Sequence, residues 1–315
     1  MKIFDAATTA AALPFDRLVP ALRDMFARGC EVPARHVHEV AVPGGEPFTS
    51  LIMPAWVPGR YYGIKTINIA PGNARRGLPG LHAVYTLFDG VTGVPLAVMD
   101  GDAITHRRTA AASALAAAWL AREDARHLLV VGAGQVARLL PHAYRAVRGI
   151  ERVSVWARDL DKAEALAAQW RSEGLPASAA SGLQVACSEA DIVACATLAT
   201  EPVVRGAWLK PGTHLDLIGS FMPAMREADD ECFMGASLYL DTEEGLKKSG
   251  ELLGPMARGV FGPADVKGTL ATLSRGEARG RNAPEERTVF KSVGNALEDL
   301  AAGILVHEAG AAAAN

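Results

Sequence analysis

The chain of 315 residues is poor in aromatics, at 6%, and has no excess of basic charge: 32 Lys and Arg stand against 35 Asp and Glu, a net −3. A nucleic-acid binder needs cations to neutralise a phosphate backbone and rings to stack bases on, so nucleic acid is not expected as a partner. Cysteines are few and scattered (Cys30, Cys187, Cys195, Cys232), with no CxxC pair. A chain of this length can bury a sizeable core without disulfide staples, so reduced thiols and a cytoplasmic setting are expected. The N-terminus, MKIFDAATTAAALPFDRL, lacks the unbroken apolar core of a signal peptide. No stretch of about 18 apolar residues is free of charge, so no membrane span is expected either. Half the residues are nonetheless hydrophobic and 21% charged, which excludes disorder over the whole length.

What is present is a change of character along the chain. Phe15, Leu18, Leu22, Met25 and Phe26 recur at helical spacing and predict a helix over 15–30. From Arg35 to Met99, short β-type runs (His36–Val42, Thr49–Met53, Tyr61–Ile69, Ala83–Phe88, Pro95–Asp100) alternate with Pro/Gly turns, the pattern of an antiparallel sheet. An Ala-rich helix is predicted over Ile104–Ala121. From His127 onward strand and helix alternate, which predicts a parallel, doubly wound sheet. The fold class expected is therefore α/β: a Rossmann domain over 118–288, and a discontinuous α+β domain for substrate and dimerisation from 1–117 and the C-terminal segment 289–315.

LLVVGAGQVA carries Gly132, Gly134 and Ala137 in a GxGxxA pattern, directly after an apolar strand and at the opening of a helix. Gly132 permits the tight turn, Gly134 a close backbone approach to a pyrophosphate, and Ala137 close packing of helix on strand. The stretch Gly132, Gly134, Gln135, Val136, Ala137 is the candidate dinucleotide cradle, with the phosphates on the helix N-terminus. At the end of the next strand, where NAD-binding proteins place an acid for the ribose hydroxyls, stand Trp156, Ala157 and Arg158. Arg158 is either a fork for a 2′-phosphate, favouring NADP(H) with NAD(H) still possible, or an ordinary solvated arginine. Asp159 is placed to cap the following helix.

At LAVMDGDAITHRRTAAASA (Leu96–Ala114) the chain resembles the ornithine cyclodeaminase/mu-crystallin family, which includes ketimine reductases and an archaeal type of alanine dehydrogenase. GIKTIN (63–68), RGLPG (76–80), ATLATEPVV (196–204), WLKPGTHLDLIGS (208–220) and TVFKSVGNALED (288–299) extend the resemblance over nearly the full length, the ketimine reductase branch fitting best. The resemblance implies a homodimer with its active site between the two domains. It implies Arg108 and Arg35 as the guanidinium groups that hold a substrate carboxylate, and Lys65 as the catalytic lysine. Two neighbouring guanidinium groups should lower the Lys65 pKa. Arg107 should point away from Arg108, since adjacent helical residues do not share a face. Thr109 is implied at the cofactor phosphates. Thr197, Ser292 and Gly294 are implied on the nicotinamide or substrate side, and Gly80, His82 and Phe221 at the substrate pocket. His82 is equally readable as a structural histidine. His36 and His38 have no third ligand at metal spacing, so no metal is expected.

Departures from the family pattern narrow the activity. Phe221 stands where ornithine cyclodeaminases carry an acid for the substrate's distal amine, Leu51-Ile52 precede Met53-Pro54 without the usual Glu, and Gly80 replaces a Thr or Ser. A buried ammonium without a carboxylate partner is costly. The expected activity is NAD(P)H-dependent reduction of a cyclic ketimine carboxylate, of the pyrroline- or piperideine-2-carboxylate type, or dehydrogenation of a small amino acid. The alternatives are an ornithine cyclodeaminase that recycles NAD, and a mu-crystallin-like protein that binds NADPH and a small ligand.

Overall fold

In the computed structural model, which describes residues 1–312, the chain divides into two compact units: 1–108 with 295–312, and 109–294. Residues 313–315, the end of the expected C-terminal segment, lie outside the described residues.

The first unit opens with β1 (Lys2–Phe4), α1 (Ala6–Ala11) and α2 (Phe15–Arg28). Its strands continue with β2 (His36–Val40), β3 (Phe48–Val57), β4 (Tyr61–Ile69), β5 (Leu81–Asp89) and β6 (Pro95–Asp100). They form one six-stranded sheet in the order β1-β6-β5-β4-β3-β2. The meander from β2 to β6 is antiparallel, as the alternating pattern predicts; β1 joins parallel to β6, which makes the sheet mixed. β3 runs on through Pro54, four residues beyond the expected end at Met53. Proline cannot donate to a ladder. Here β2 pairs only as far as Ile52, and the next bridge on that side is Glu31 to Trp56, so Pro54 falls in the gap between them.

The helix α3 (Gly101–Leu120) starts three residues before the expected Ile104, and its residues to Arg108 belong to the first unit. Its Ala-rich stretch Ala110–Ala117 is buried throughout, as a helical run apolar on every side must be. The second unit then alternates β7 (His127–Val131), α4 (Gln135–Arg145), β8 (Arg152–Trp156), α5 (Leu160–Ser172), β9 (Ala177–Ala179), α6 (Leu183–Glu189) and β10 (Ile192–Cys195). It continues through β11 (His214–Leu217), β12 (Ser237–Leu240), α7 (Gly245–Lys248), α8 (Gly250–Ala257), β13 (Val266–Thr269), α9 (Leu270–Ser274) and β14 (Thr288–Lys291). All eight strands pair in parallel, in the order β13-β12-β14-β11-β10-β7-β8-β9. The order runs outward from β7 in both directions, as in a Rossmann sheet, whose ligands lie beyond the carboxyl ends of the strands where the order reverses. The chain returns to the first unit as α10 (Ala296–Ala312), which packs on α2, β3 and β4.

Asp159 caps α5 as expected, accepting from the N–H groups of Asp161 and Lys162. All four cysteines are free; burial pushes the Cys30 thiol up to about 11 and Cys187 up to about 12, which keeps both protonated. Among the described residues no helix is long and apolar enough to cross a membrane.

Candidate active site

In the first unit, β4 alternates so that Lys65 points to the face covered by α10, and its side chain is 1% exposed. A buried ammonium must find acceptors. Lys65 Nζ lies 2.8 Å from Oδ1 and 2.7 Å from Oδ2 of Asp299, and 3.3 Å from the Thr105 hydroxyl. Arg108, 7% exposed on α3, donates from Nε to Oδ1 of the same Asp299 at 3.0 Å and from Nη1 to Glu298 at 2.6 Å. One carboxylate is thus shared by the two expected cations, and it fixes their spacing. Two cations meet two carboxylates, all four inside the unit.

The Lys65 pKa is lowered to about 8. The expected direction holds, but the cause differs: burial comes first, Asp299 opposes it, and Arg108 is a smaller lowering influence. Around the pair stand Asp102 and His106 on the first turns of α3. Burial and Asp100 raise the Asp102 carboxyl, while His82 and Lys65 pull it back, so His82 faces the same charged neighbourhood. Burial, then Arg108, lowers His106. Arg107 turns away as predicted, donating to the Leu13 carbonyl with its guanidinium over the Phe15 ring. Arg35 is half-buried just before β2, and Gly80 is exposed at the start of β5, where its carbonyl accepts from Ala70 N–H. Glu298, Asp299, Thr105, Asp102 and His106 were not singled out from the sequence. The legible signal is a pair of adjacent acids, Glu298-Asp299, inside an otherwise apolar helical run.

In the second unit the glycine turn joins β7 to α4 with Gly132 at φ +116°, a conformation suited to glycine. Gly134 is the N-cap of α4, and no side chain caps that helix end. A Cβ on Gly134 would meet no atom within 4 Å, so backbone N–H groups at an uncapped helix start look onto open space. That cradle fits a dinucleotide pyrophosphate, which the backbone N–H groups of Gly134, Gln135 and Val136 would hold; Gly132 makes the turn, its own N–H on the Trp156 carbonyl, and Ala137 is buried beneath. Arg158 is exposed two residues beyond β8. Thr109 is half-buried and lies nine residues into α3, so any phosphate contact there comes from its hydroxyl and not from a helix terminus.

Of the remaining expected residues, Thr197 donates through both N–H and hydroxyl to Glu227. Ser292 is buried with its N–H on the Leu217 carbonyl, and Gly294 N–H donates to Asp241. Phe221 is 37% exposed in the segment after β11. Beneath these segments lie Asp216, Glu227, Asp241, Glu251 and Lys291, all buried and none foreseen. Burial raises the Glu227 and Asp216 carboxyls and lowers Lys291; Lys291 and the Thr197 N–H and hydroxyl oppose it at Glu227 by favouring the carboxylate.

Comparison with known proteins completes the picture. The model of the ornithine cyclodeaminase/mu-crystallin family matches residues 34–313. A Delta(1)-pyrroline-2-carboxylate reductase of Paracoccus denitrificans is 44% identical over 275 residues, 87% of this chain and 87% of its own. The structure of the Thermococcus litoralis Delta(1)-pyrroline-2-carboxylate reductase, in complex with NADH and L-proline, superposes with a TM-score of 0.93 at 31% identity, covering 100% of this chain and 98% of that one. An archaeal alanine dehydrogenase dimer with bound NAD superposes with a TM-score of 0.90 at 30% identity, covering 100% and 97%. With the glycine turn, the parallel sheet and the Lys65–Asp299–Arg108 cluster in place, and a family match over most of its length, this chain belongs to the ornithine cyclodeaminase/mu-crystallin family.

Proposed function

We propose that this protein reduces a cyclic ketimine carboxylate, of the pyrroline- or piperideine-2-carboxylate type, with a reduced nicotinamide dinucleotide. The observation that carries the reading is Lys65, an ammonium enclosed by protein, held by Asp299 and brought to about 8 beside Arg108. Reducing a C=N bond takes a hydride at carbon and a proton at nitrogen, and gives a secondary amine. The bound dinucleotide supplies the hydride. Lys65 supplies the proton: a pKa of about 8 leaves it charged at neutral pH yet within easy reach of transfer, the condition for an effective general acid. In the reverse direction neutral Lys65 takes the proton back.

Arg108 anchors the substrate carboxylate, and Arg35 is the second anchor. Asp299 and Glu298 hold the Arg108 guanidinium in one plane through Nε and Nη1, so the anchor is set before substrate arrives. Gly80 and His82 complete the substrate side of the first unit, and Phe221, in the second, offers no charge to a second amine. Thr109, Thr197, Ser292 and Gly294 contribute on the cofactor side with the glycine turn.

The cofactor preference belongs to the same proposal. Arg158 is exposed at the strand end where a ribose-binding acid is usual, and the neighbouring Asp159 is engaged in capping α5. NADP(H) is therefore preferred over NAD(H). Similarity to the archaeal alanine dehydrogenase favours a second reading, dehydrogenation of a small amino acid by the same groups run in reverse. That neighbour is a dimer, and a cytoplasmic homodimer is the proposed form of this chain, to be checked by light scattering in solution.

One assay separates the readings. The absorbance of NADPH is followed with pyrroline-2-carboxylate, and then ornithine is offered with catalytic NAD. Rapid NADPH oxidation with the ketimine and no ammonia from ornithine is expected. Ammonia release from ornithine at a comparable rate overturns the reductase reading, and binding of NADPH without turnover of any ketimine or amino acid replaces it with a binding role.

A further inference from the structure

The proposed imine reduction uses none of the buried carboxylates of the second unit, and one of them is placed unlike the others. Glu227 divides its two oxygens between two strand ends. Oε1 accepts from the N–H of Thr197 at 2.7 Å and from its hydroxyl at 2.8 Å, in the segment after β10; Oε2 accepts from the N–H of Gly219 at 2.7 Å, in the segment after β11. The fit leaves no slack. A Cβ on Gly219 would stand 1.9 Å from the Thr197 carbonyl oxygen and 2.6 Å from Glu227 Oε1. Thr197 also abuts the glycine turn: a Cβ on Gly132 would stand 2.5 Å from the Ala196 carbonyl oxygen and 3.3 Å from the Thr197 methyl. A continuous line of contact therefore runs from Gly219 through Glu227 and Thr197 to Gly132.

Glu227 is itself pinned. Glu251 accepts from the N–H groups of Glu227 at 2.7 Å and Ala228 at 2.9 Å, and from the Ser220 hydroxyl at 2.6 Å. Lys291, on the adjacent strand end, donates to the Leu217 carbonyl and offsets the buried negative charge. The strands that Glu227 ties, β10 and β11, lie on the far side of β7 from β8. In a sheet wound outward from its first strand, the β8 side takes the adenine half of a dinucleotide and the β10 side takes the other half.

We infer that Glu227 is a positioning residue for the nicotinamide half of the dinucleotide, holding Thr197 and Gly219 in the backbone arrangement to which that half binds. The inference rests on the dinucleotide reading of the second unit. It requires a carboxylate: three donors converge on two oxygens, and an amide would set an NH2 donor against a backbone N–H.

The test compares two ligands, NADH and ADP-ribose, which keeps the adenine half and pyrophosphate but lacks the nicotinamide. Dissociation constants are measured by calorimetry for the wild type, Glu227→Gln and Thr197→Val. The valine variant removes only the hydroxyl from the clamp and keeps its shape, so it carries the test if the glutamine variant does not fold. Glu227→Gln is expected to weaken NADH roughly tenfold, and Thr197→Val about threefold, with ADP-ribose unchanged within about twofold. Unchanged NADH binding, or equal loss of both ligands, overturns the inference, since a merely structural role moves both together. Failure of the wild type to bind NADH, NADPH or ADP-ribose overturns the dinucleotide reading and this inference with it.

Discussion

The two units bury charge in opposite ways. In the first, two cations and two carboxylates, Lys65 and Arg108 with Glu298 and Asp299, meet side chain to side chain. In the second, Asp216, Glu227, Asp241 and Glu251 share one lysine, and most of their acceptor capacity goes to backbone N–H groups and hydroxyls. A carboxylate that accepts from backbone fixes where a loop runs. A carboxylate that pairs with a side-chain cation also fixes how tightly that cation keeps its proton. The first arrangement suits proton transfer and the second suits stitching, so substitutions in the two clusters should fail in different currencies: turnover and pH dependence in one, ligand geometry in the other.

The largest expected effect lies at Lys65. Lys65→Met keeps length and apolar stem but removes proton and charge, and kcat for ketimine reduction should fall by about 10²–10⁴. Dinucleotide affinity should stay as it is, because the glycine turn belongs to the second unit. Steady-state kinetics beside a binding titration decides this; near wild-type kcat would make Lys65 a structural lysine and remove the contrast between the clusters.

Arg108→Ala comes next. A carboxylate anchor binds ground state and transition state alike, so KM should rise about 10–100-fold with a smaller loss in kcat. The change also strips Asp299 and Glu298 of a shared cation within a buried site, so the melting temperature should drop. A melting temperature and KM both unchanged would show that the guanidinium neither anchors substrate nor braces the cluster.

Arg158→Ala carries a smaller effect, because the side chain is exposed and its contacts are screened by solvent. NADPH should weaken by about tenfold or less while NADH holds. Equal affinity of the wild type for the two cofactors, unaltered in the variant, would remove the NADP(H) preference.

How much of this was legible depends on whether the signal is local. The turn at Gly132–Ala137 was legible because strand, turn and helix are contiguous, and β4 and β6 end where alternation and Pro/Gly turns place them. β3 was cut short at Pro54, since a sequence cannot show that the neighbouring strand has already stopped. β1 and α1 sit in an alanine-rich start with no periodic pattern, and β1 is fixed by its partner β6, over ninety residues away. The site divides in the same way. Lys65 and Arg108 were found only through the motifs they share with a family. Asp299, which couples them, lies on the last helix, and no spacing rule links it to β4. Glu227 sits in MREADD, which reads as a solvated charge run until the fold folds it under two strand ends.

The finest test of the comparison is a shift on the pH axis. Lys65 must be protonated to reduce an imine, so kcat/KM for reduction should fall as pH rises through about 8, and the reverse oxidation should rise over the same range. Asp299 stabilises the ammonium and so raises the pKa that burial depresses. In Asp299→Asn that support is gone, the pKa drops further, and the reductive limb should move to lower pH while oxidation gains at neutral pH. Asparagine keeps the size of aspartate, and its carbonyl oxygen at the Oδ1 place can still accept from Lys65 and Arg108, while its NH2 at the Oδ2 place faces Lys65 Nζ and disfavours the ammonium further. Glu227→Gln makes the same acid-to-amide change in the other cluster, whose carboxylate accepts from Thr197 and Gly219 and not from Lys65 or Arg108. It should leave the midpoint in place even as it weakens NADH. If both variants shift the midpoint alike, the two clusters act as one electrostatic field and the division between proton control and stitching fails. If neither does, the titrating group is not Lys65.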